Sequence, residues 1–395
     1  MNLSDALSYR GADLDQLLSQ AKASLGLTSG DILFACGSLV EGLGNKQSDI
    51  DLILITSRED IAFSSLTDVF FIVGQCVVDV RVKQRVDVDS LLHRFDRWSH
   101  GPRDSRGALE FPDNDRRFLH RLLNGQILFG DEEFRLLLGH VSVAELAWHR
   151  FEWARHYAEA LQIDLAGLRE ERDSHTMLFA AQELLSHTID ALLAGYDYTN
   201  PVPKWRGRHL ADLPAQWEEV LPGRRTGLSA FDRYLSLNRL PESITIRAIS
   251  QYALHIVAFA RSVFTWMERK RVNPETRYST LPVARESHSP GDRMPALDLN
   301  VALRCQTGRF ELVRLNSGEL GIELSSDAAL LLCLFDGETS RLDAIDYANR
   351  LLSNERGESF LEDLIALTYH AKFIFEEGID EELLEKTLGI QAGAS

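Results

Sequence analysis

The stretch ILFACGSLVEGLGNKQSDIDLILIT, residues 32–56, decides the fold. Two apolar runs, ILFAC and IDLILIT, are short enough and apolar enough to be buried strands. Between them runs a connection rich in glycine and polar residues, and the second run opens with Asp49 and Asp51. Residues two apart on a strand face the same side, so both carboxylates project together from a strand otherwise built for burial. Two adjacent carboxylates repel unless a cation sits between them, and their hard oxygens suit Mg²⁺. Gly37 allows the backbone to approach a phosphate closely, and Ser38 offers an N–H and a hydroxyl where a short helix or loop begins. A strand, a phosphate-binding turn and paired carboxylates imply phosphoryl or nucleotidyl transfer.

Outward from this stretch, the first block of the chain continues with strand-like runs. DVFFIV and CVVDVRV flank Gly74-Gln75, the spacing of a tight hairpin, and ADLDQLLSQAKASL upstream carries apolar residues at helical spacing. Residues 1–110 therefore read as a small α/β domain. A segment rich in Gly, Pro and Arg, SHGPRDSRGALEFPDND, marks its end. From 111 to 272 the patterns are almost all helical, including RRFLHRLLNGQILFG and SITIRAISQYALHIVAFARSVFTWMERK, which predicts a bundle of four or five helices. Residues 273–296 are polar and contain Pro, as a linker does. Residues 297–390 open with NVALRCQ, RFELVRL and LGIELS, with Asn316-Ser317-Gly318 as a turn, and continue as helices; Asp336-Gly337 ends one helix before the next begins.

Composition sets the limits. The chain has 395 residues, 45% hydrophobic, with 59 acidic against 42 basic residues and a formal net charge of −17. A length on the order of two or three domains fits the three blocks. The acidic excess disfavours charge-driven wrapping of nucleic acid or of an anionic membrane, so any polyanion must meet a focused site. Cys36, Cys76, Cys305 and Cys333 sit in apolar runs without metal-ligand spacing and read as reduced thiols. The first residues lack the basic start and apolar core of a signal peptide, and the most apolar stretch, QYALHIVAFARSVFTWM, is interrupted by His255 and Arg261. The expectation is a cytoplasmic protein of a reducing compartment.

Residues 32–56 resemble the signature of the DNA polymerase beta-like nucleotidyltransferase superfamily, in which a GS turn, a gap and an acidic-apolar-acidic triplet follow in that order. The resemblance implies a third carboxylate on a later strand, and Asp79 in CVVDVRV stands where it is needed. It further implies two Mg²⁺ ions held by Asp49, Asp51 and Asp79, an NTP such as ATP gripped by Gly37 and Ser38, and release of pyrophosphate. Asp79 is then the first candidate for general base. Ser48 and Lys46, in the connecting loop, are further candidates for nucleotide contacts, alongside a plain role in a solvated turn.

The helical block resembles the lid of the small-molecule branch, which includes aminoglycoside nucleotidyltransferases. There a lysine after a Pro-containing loop contacts nucleotide phosphates, which suggests Lys204, with Arg206 and Arg208 nearby, and a helical glutamate can act as base, which suggests Glu183. An exposed basic loop and a solvated helix residue are the competing readings. The last block has a winged-helix-like order and resembles the peptide-binding domains of ribosomal peptide-modifying systems, related to the chaperone of pyrroloquinoline quinone synthesis. That implies a precursor's leader peptide added as a strand to the sheet edge; a DNA-binding wing and a dimer-contact module are the rivals. The acceptor is then a small molecule or a ribosomally made peptide. The alternative is a catalytically silent nucleotide-binding or peptide-recruiting scaffold.

Overall fold

The computed structural model describes residues 1–58, 69–101, 107–272, 293–306, 308–353 and 356–375. Most of the linker expected at 273–296 and the last stretch of the C-terminal block lie outside them. The chain divides into two compact units, Met1–His149 with Asp197–Arg208, and Arg150–Tyr196 with His209–Ser395.

In the first unit a five-stranded mixed sheet carries helices on both faces. Its strands are β1 (Ile32–Cys36), β2 (Ile50–Thr56), β3 (Val69–Val73), β4 (Cys76–Gln84) and β5 (Gln126–Phe129), in the order β3-β4-β2-β1-β5. The Gly74-Gln75 pair makes the expected hairpin: Val73 pairs with Cys76, and Gly74 takes a left-handed φ of 58°. Strand alternation sorts the core. Leu33, Ala35, Leu52, Leu54, Val78 and Val80 face α1 (Leu3–Tyr9) and α2 (Leu14–Leu25), the latter started by an Asp13–Gln16 capping box. Ile32, Phe34, Ile53 and Ile55 face the other way, onto α3 (Arg85–His100), α4 (Asp113–Leu123) and α5 (Asp131–Leu138).

One expectation needs correcting. The run RRFLHRLLNGQILFG is not one helix: α4 stops at Leu123, and QILF becomes β5, paired with β1. Gly125 stands at the break. A Cβ there would fall 2.5 Å from the Phe34 ring and 2.9 Å from the Arg121 carbonyl, so no side chain fits, and the four residues beyond it complete a sheet edge that would otherwise lie bare.

The second unit is helical, with a small sheet module. Helices α6 (Val143–Glu170), α7 (Ser174–Gly195) and α10 (Ile246–Val272) follow the expected apolar spacing; α6 begins in the first unit and continues into the second. The short α8 (Arg206–Ala211), which likewise begins in the first unit, and α9 (Ala230–Leu237) lie between α7 and α10 in the chain. The module has three antiparallel strands, β6 (Val301–Gln306), β7 (Arg309–Arg314) and β8 (Ile322–Leu324), then α11 (Ser326–Leu332), α12 (Arg341–Leu352) and α13 (Gly357–His370). Ser325 and Ser340 cap α11 and α12, each accepting from a backbone N–H three residues on. A buried ion pair, Arg150 with Asp190 at 2.7 Å, links α6 to α7. No helix among the described residues is long and apolar enough to cross a membrane.

His149 is enclosed in the first unit, its ring edge-on to Trp98 (5.0 Å between centroids) and Phe111 (5.1 Å). Among the described residues neither ring nitrogen has a hydrogen-bond partner. Burial, and then repulsion from Arg116, push its pKa down to about 3. The folded protein therefore holds a neutral imidazole where the unfolded chain takes up a proton below about 6.5. Stability from this site is complete above that pH and is lost as pH falls toward about 3, by on the order of a few kcal/mol. Denaturant melts at pH 7 and pH 5 are expected to show that loss, and His149→Phe to flatten it.

Candidate functional site

The ladder of hydrogen bonds builds the site. Cys36 on β1 pairs with Asp51 on β2, Asp51 pairs in parallel register with Asp79 on β4, and Asp79 pairs with Phe70 on β3. Paired residues present their side chains to the same face, so Cys36, Asp51, Asp79 and Phe70 form one row across four strands. Asp49, two residues before Asp51, is exposed and makes no hydrogen bond or ion pair among the described residues. Asp51 and Asp79 are half-buried.

Local sequence fixes the turn beside this row. Gly37 follows β1 with φ of 81°, and a side chain placed there would run into the Asp51 carboxylate, its Cγ being 3.2 Å from the added carbon. The Gly37 carbonyl accepts from the N–H groups of Val40 and Glu41, and the Ser38 carbonyl from those of Leu43 and Gly44. Residues 38–42 are thus a set of hydrogen-bonded turns, and the helix start considered for Ser38 does not form. The Ser38 N–H and hydroxyl donate to nothing among the described residues. The Ser48 hydroxyl is occupied, accepting from Asn45 N–H at 2.9 Å, and Arg10 ties down the carbonyls of Lys46 and Ser48 at 2.7 Å each. Lys46 lies over the Tyr9 ring.

Charge in the row is poorly matched. Burial raises the Asp51 pKa; Arg121 pulls it back most, Asp49 pushes it up, and Arg81 and Asp79 act more weakly in opposite senses. The Arg121 guanidinium, from α4, stands 3.9 Å from Asp51, a distance at which attraction is partly screened. Burial pushes the neighbouring Cys36 thiol up to about 12, so it is inert as a nucleophile at neutral pH. No group of three or more His, Cys, Asp or Glu side chains forms a metal cage among the described residues.

Residues 197–208 belong to the same unit although they follow α7. Asn200 Nδ2 donates to Glu41 in the Gly37–Ser38 turn at 2.8 Å, and Thr199 Oγ1 lies 2.8 Å from His120 Nδ1. His120 Nε2 is in turn 3.1 Å from Glu41. Lys204 thus shares a unit with the three aspartates; it is exposed, its ammonium 4.9 Å from the Trp205 ring centre. Arg206 is half-buried and Arg208 exposed. Glu183 is exposed on α7, in the second unit.

Sequence reading missed Arg81, Arg121, Glu41, His120, Asn200 and the exposed Phe70. Arg81 carried a signal, standing two residues after Asp79 on a strand and so on its face. The others become neighbours of the row only through tertiary folding.

No protein-family model matches the chain, and no curated protein matches it in sequence. Among solved structures, a nucleotidyltransferase-like protein from Exiguobacterium sibiricum 255-15 aligns over 66% of this chain and 80% of its own, at 13% identity and a TM-score of 0.38. A likeness at this level leaves the function to be argued from the site itself.

Two changes probe the geometry. Gly37→Ala must hold a left-handed backbone and displace Asp51, and is expected to cost about 1–3 kcal/mol of stability in denaturant melts. Arg121→Met removes the cation nearest Asp51, and the Asp51 pKa, followed by carboxyl NMR, is expected to rise further.

Proposed function

We propose that the protein is a magnesium-dependent nucleotidyltransferase that moves a nucleoside monophosphate from an NTP to a hydroxyl of a small molecule or a ribosomally made peptide. The observation that carries this reading is the in-register pair Asp51–Asp79, with Asp49 two residues ahead and the unused donors of Ser38 at the adjoining turn. A surface acidic pair would spread apart in water. Here strand pairing holds like charges together, and half-burial makes that costly.

The three carboxylates fit magnesium by their donor chemistry, and a divalent cation beside Asp51 would favour the ionised form that burial, and then Asp49, disfavour. Triphosphate oxygens and water would supply the remaining ligands. Bound there, the ions would stabilise charge on the attacking and leaving oxygens of an in-line displacement at the α-phosphorus. The acceptor oxygen bonds to that phosphorus, the α–β bridge breaks, and pyrophosphate leaves. Ser38 donates to the outer phosphates through its N–H and hydroxyl. Asp79, the aspartate nearest the β3 edge of the sheet, takes the proton of the acceptor hydroxyl; Glu183 is the alternative base. Lys204 supplies positive charge to the phosphates, and Gly37 keeps the turn close.

On this reading residues 1–110 hold the catalytic core and 111–272 the closing helices. The module from 297 recruits a peptide acceptor along β8, which lies at an edge of its sheet, with Leu320 ahead of it 98% exposed.

The test is pyrophosphate release from labelled NTPs with Mg²⁺ and a panel of hydroxyl acceptors, precursor peptides encoded nearby included. Asp49→Asn and Asp51→Asn are each expected to keep the circular dichroism of the parent and to lose at least about 100-fold in rate. Undiminished transfer in either variant refutes the assignment. NTP binding without turnover on any acceptor favours the silent scaffold.

A further inference from the structure

The second unit contains a cavity of 370 Å³ beside α9 and α10, within the size range of small-molecule sites. Leu237, Leu240 and Pro241 give it an apolar wall, while Arg233, Tyr252 and His255 bring polar groups to it. The Arg233 guanidinium lies over the Phe259 ring at 5.8 Å, and among the described residues none of its five N–H donors meets an acceptor. The Tyr252 hydroxyl is buried and likewise without a partner. Behind the cavity a recess of 40 Å³, lined in part by the same Arg233 and His255, adds Arg224 and Arg225, whose Nε donors are buried and unpartnered.

The carboxylates nearby are already engaged. Glu338 accepts from Arg224 at 2.8 Å and sits 3.3 Å from His255. Glu218 accepts from Thr226 and Gly227, and Asp336 from Glu338 and Thr339. Arg239 and Glu242, both exposed, also line the 370 Å³ cavity and offset each other in charge. Arg233 remains as a cation that burial destabilises, its pKa lowered for that reason despite Glu338 and Glu218. Arg233 is half-buried, and a partly desolvated guanidinium without a protein acceptor carries a cost that an anion arriving from solution removes.

We propose that this cavity binds a carboxylic acid with an apolar body, its carboxylate on Arg233 and its body against Leu237, Leu240 and Pro241. One uncompensated guanidinium beside Glu338 suits a single negative charge and disfavours a doubly charged phosphate. The apolar wall explains why a bare small anion would not be enough. The site is independent of the nucleotidyl-transfer reading, since its residues and the three aspartates belong to different compact units.

The test is calorimetric titration of the full-length protein with octanoate, octanol and acetate at pH 7, with thermal melts alongside. Octanoate is expected to bind and raise the melting temperature, and octanol and acetate to bind far more weakly. Arg233→Gln is expected to weaken octanoate about tenfold or more. Leu240→Glu, at a position 52% exposed and therefore safe for folding, is expected to do the same by repulsion. Octanoate binding that survives both variants, octanol binding as tightly as octanoate, or no octanoate binding by the folded parent would each overturn the proposal.

Discussion

Parallel pairing of β2 with β4 is the constraint on which the first unit turns. It sets Asp51 directly beside Asp79, and no side-chain rotation can separate the two backbones that carry them. β3 makes this pairing feasible, because it runs antiparallel to β4 in a tight hairpin and returns the chain in the direction of β2. The cost of two adjacent carboxylates is thereby built into the hydrogen-bond ladder. Arg121 and Arg81 stand against it, and burial is what keeps the Asp51 pKa raised. A site that keeps such a cost on rigid strands can meet a cation without reorganising, which is what the proposed transfer at phosphorus would require.

The surrounding structure serves that row. Gly37 is small because Asp51 occupies the space where a side chain would go. The turn after it is held from two directions, by its own carbonyls internally and by Glu41 externally, through Asn200 and His120. Asn200 comes from a segment that follows a helix of the second unit and rejoins the first. Four residues later the same segment carries Lys204. A chain that returns to brace the turn therefore also delivers a cation to the unit that holds the carboxylates, and one short stretch accounts for both.

Period-two and period-3.6 patterns made most of the elements legible: four of the five strands of the large sheet, α2, the long helices α6, α7 and α10, and the three strands and three helices of the last module lie where the apolar residues predict, while α3 and α5 were not read. QILF failed because three apolar residues after a helix carry no period of their own, and only the exposed edge of β1 decides their conformation. The short α1 went unread although Leu3, Ala6 and Leu7 stand at helical spacing behind an Asn2 cap, because seven residues are too few to establish a period. In the site, Asp49, Asp51, Asp79 and Gly37 were readable because their spacing along strands and turns is itself the geometry. Arg121, His120 and Asn200 were not, because their approach to residues 37–51 is set by how helices and a returning segment pack.

Net charge is the weakest guide of all, and the reason is local. At −17 the chain looks hostile to anions, yet both places argued to bind one are places where fixed charge is left unbalanced. In the first unit the imbalance is negative, and an anion needs a divalent cation between itself and the protein. In the second it is the half-buried guanidinium of Arg233, whose neighbouring carboxylates are engaged by other groups. Overall charge governs long-range encounter, which salt screens beyond about 8–10 Å. Binding is decided within a few ångströms, by which groups the fold has denied a partner.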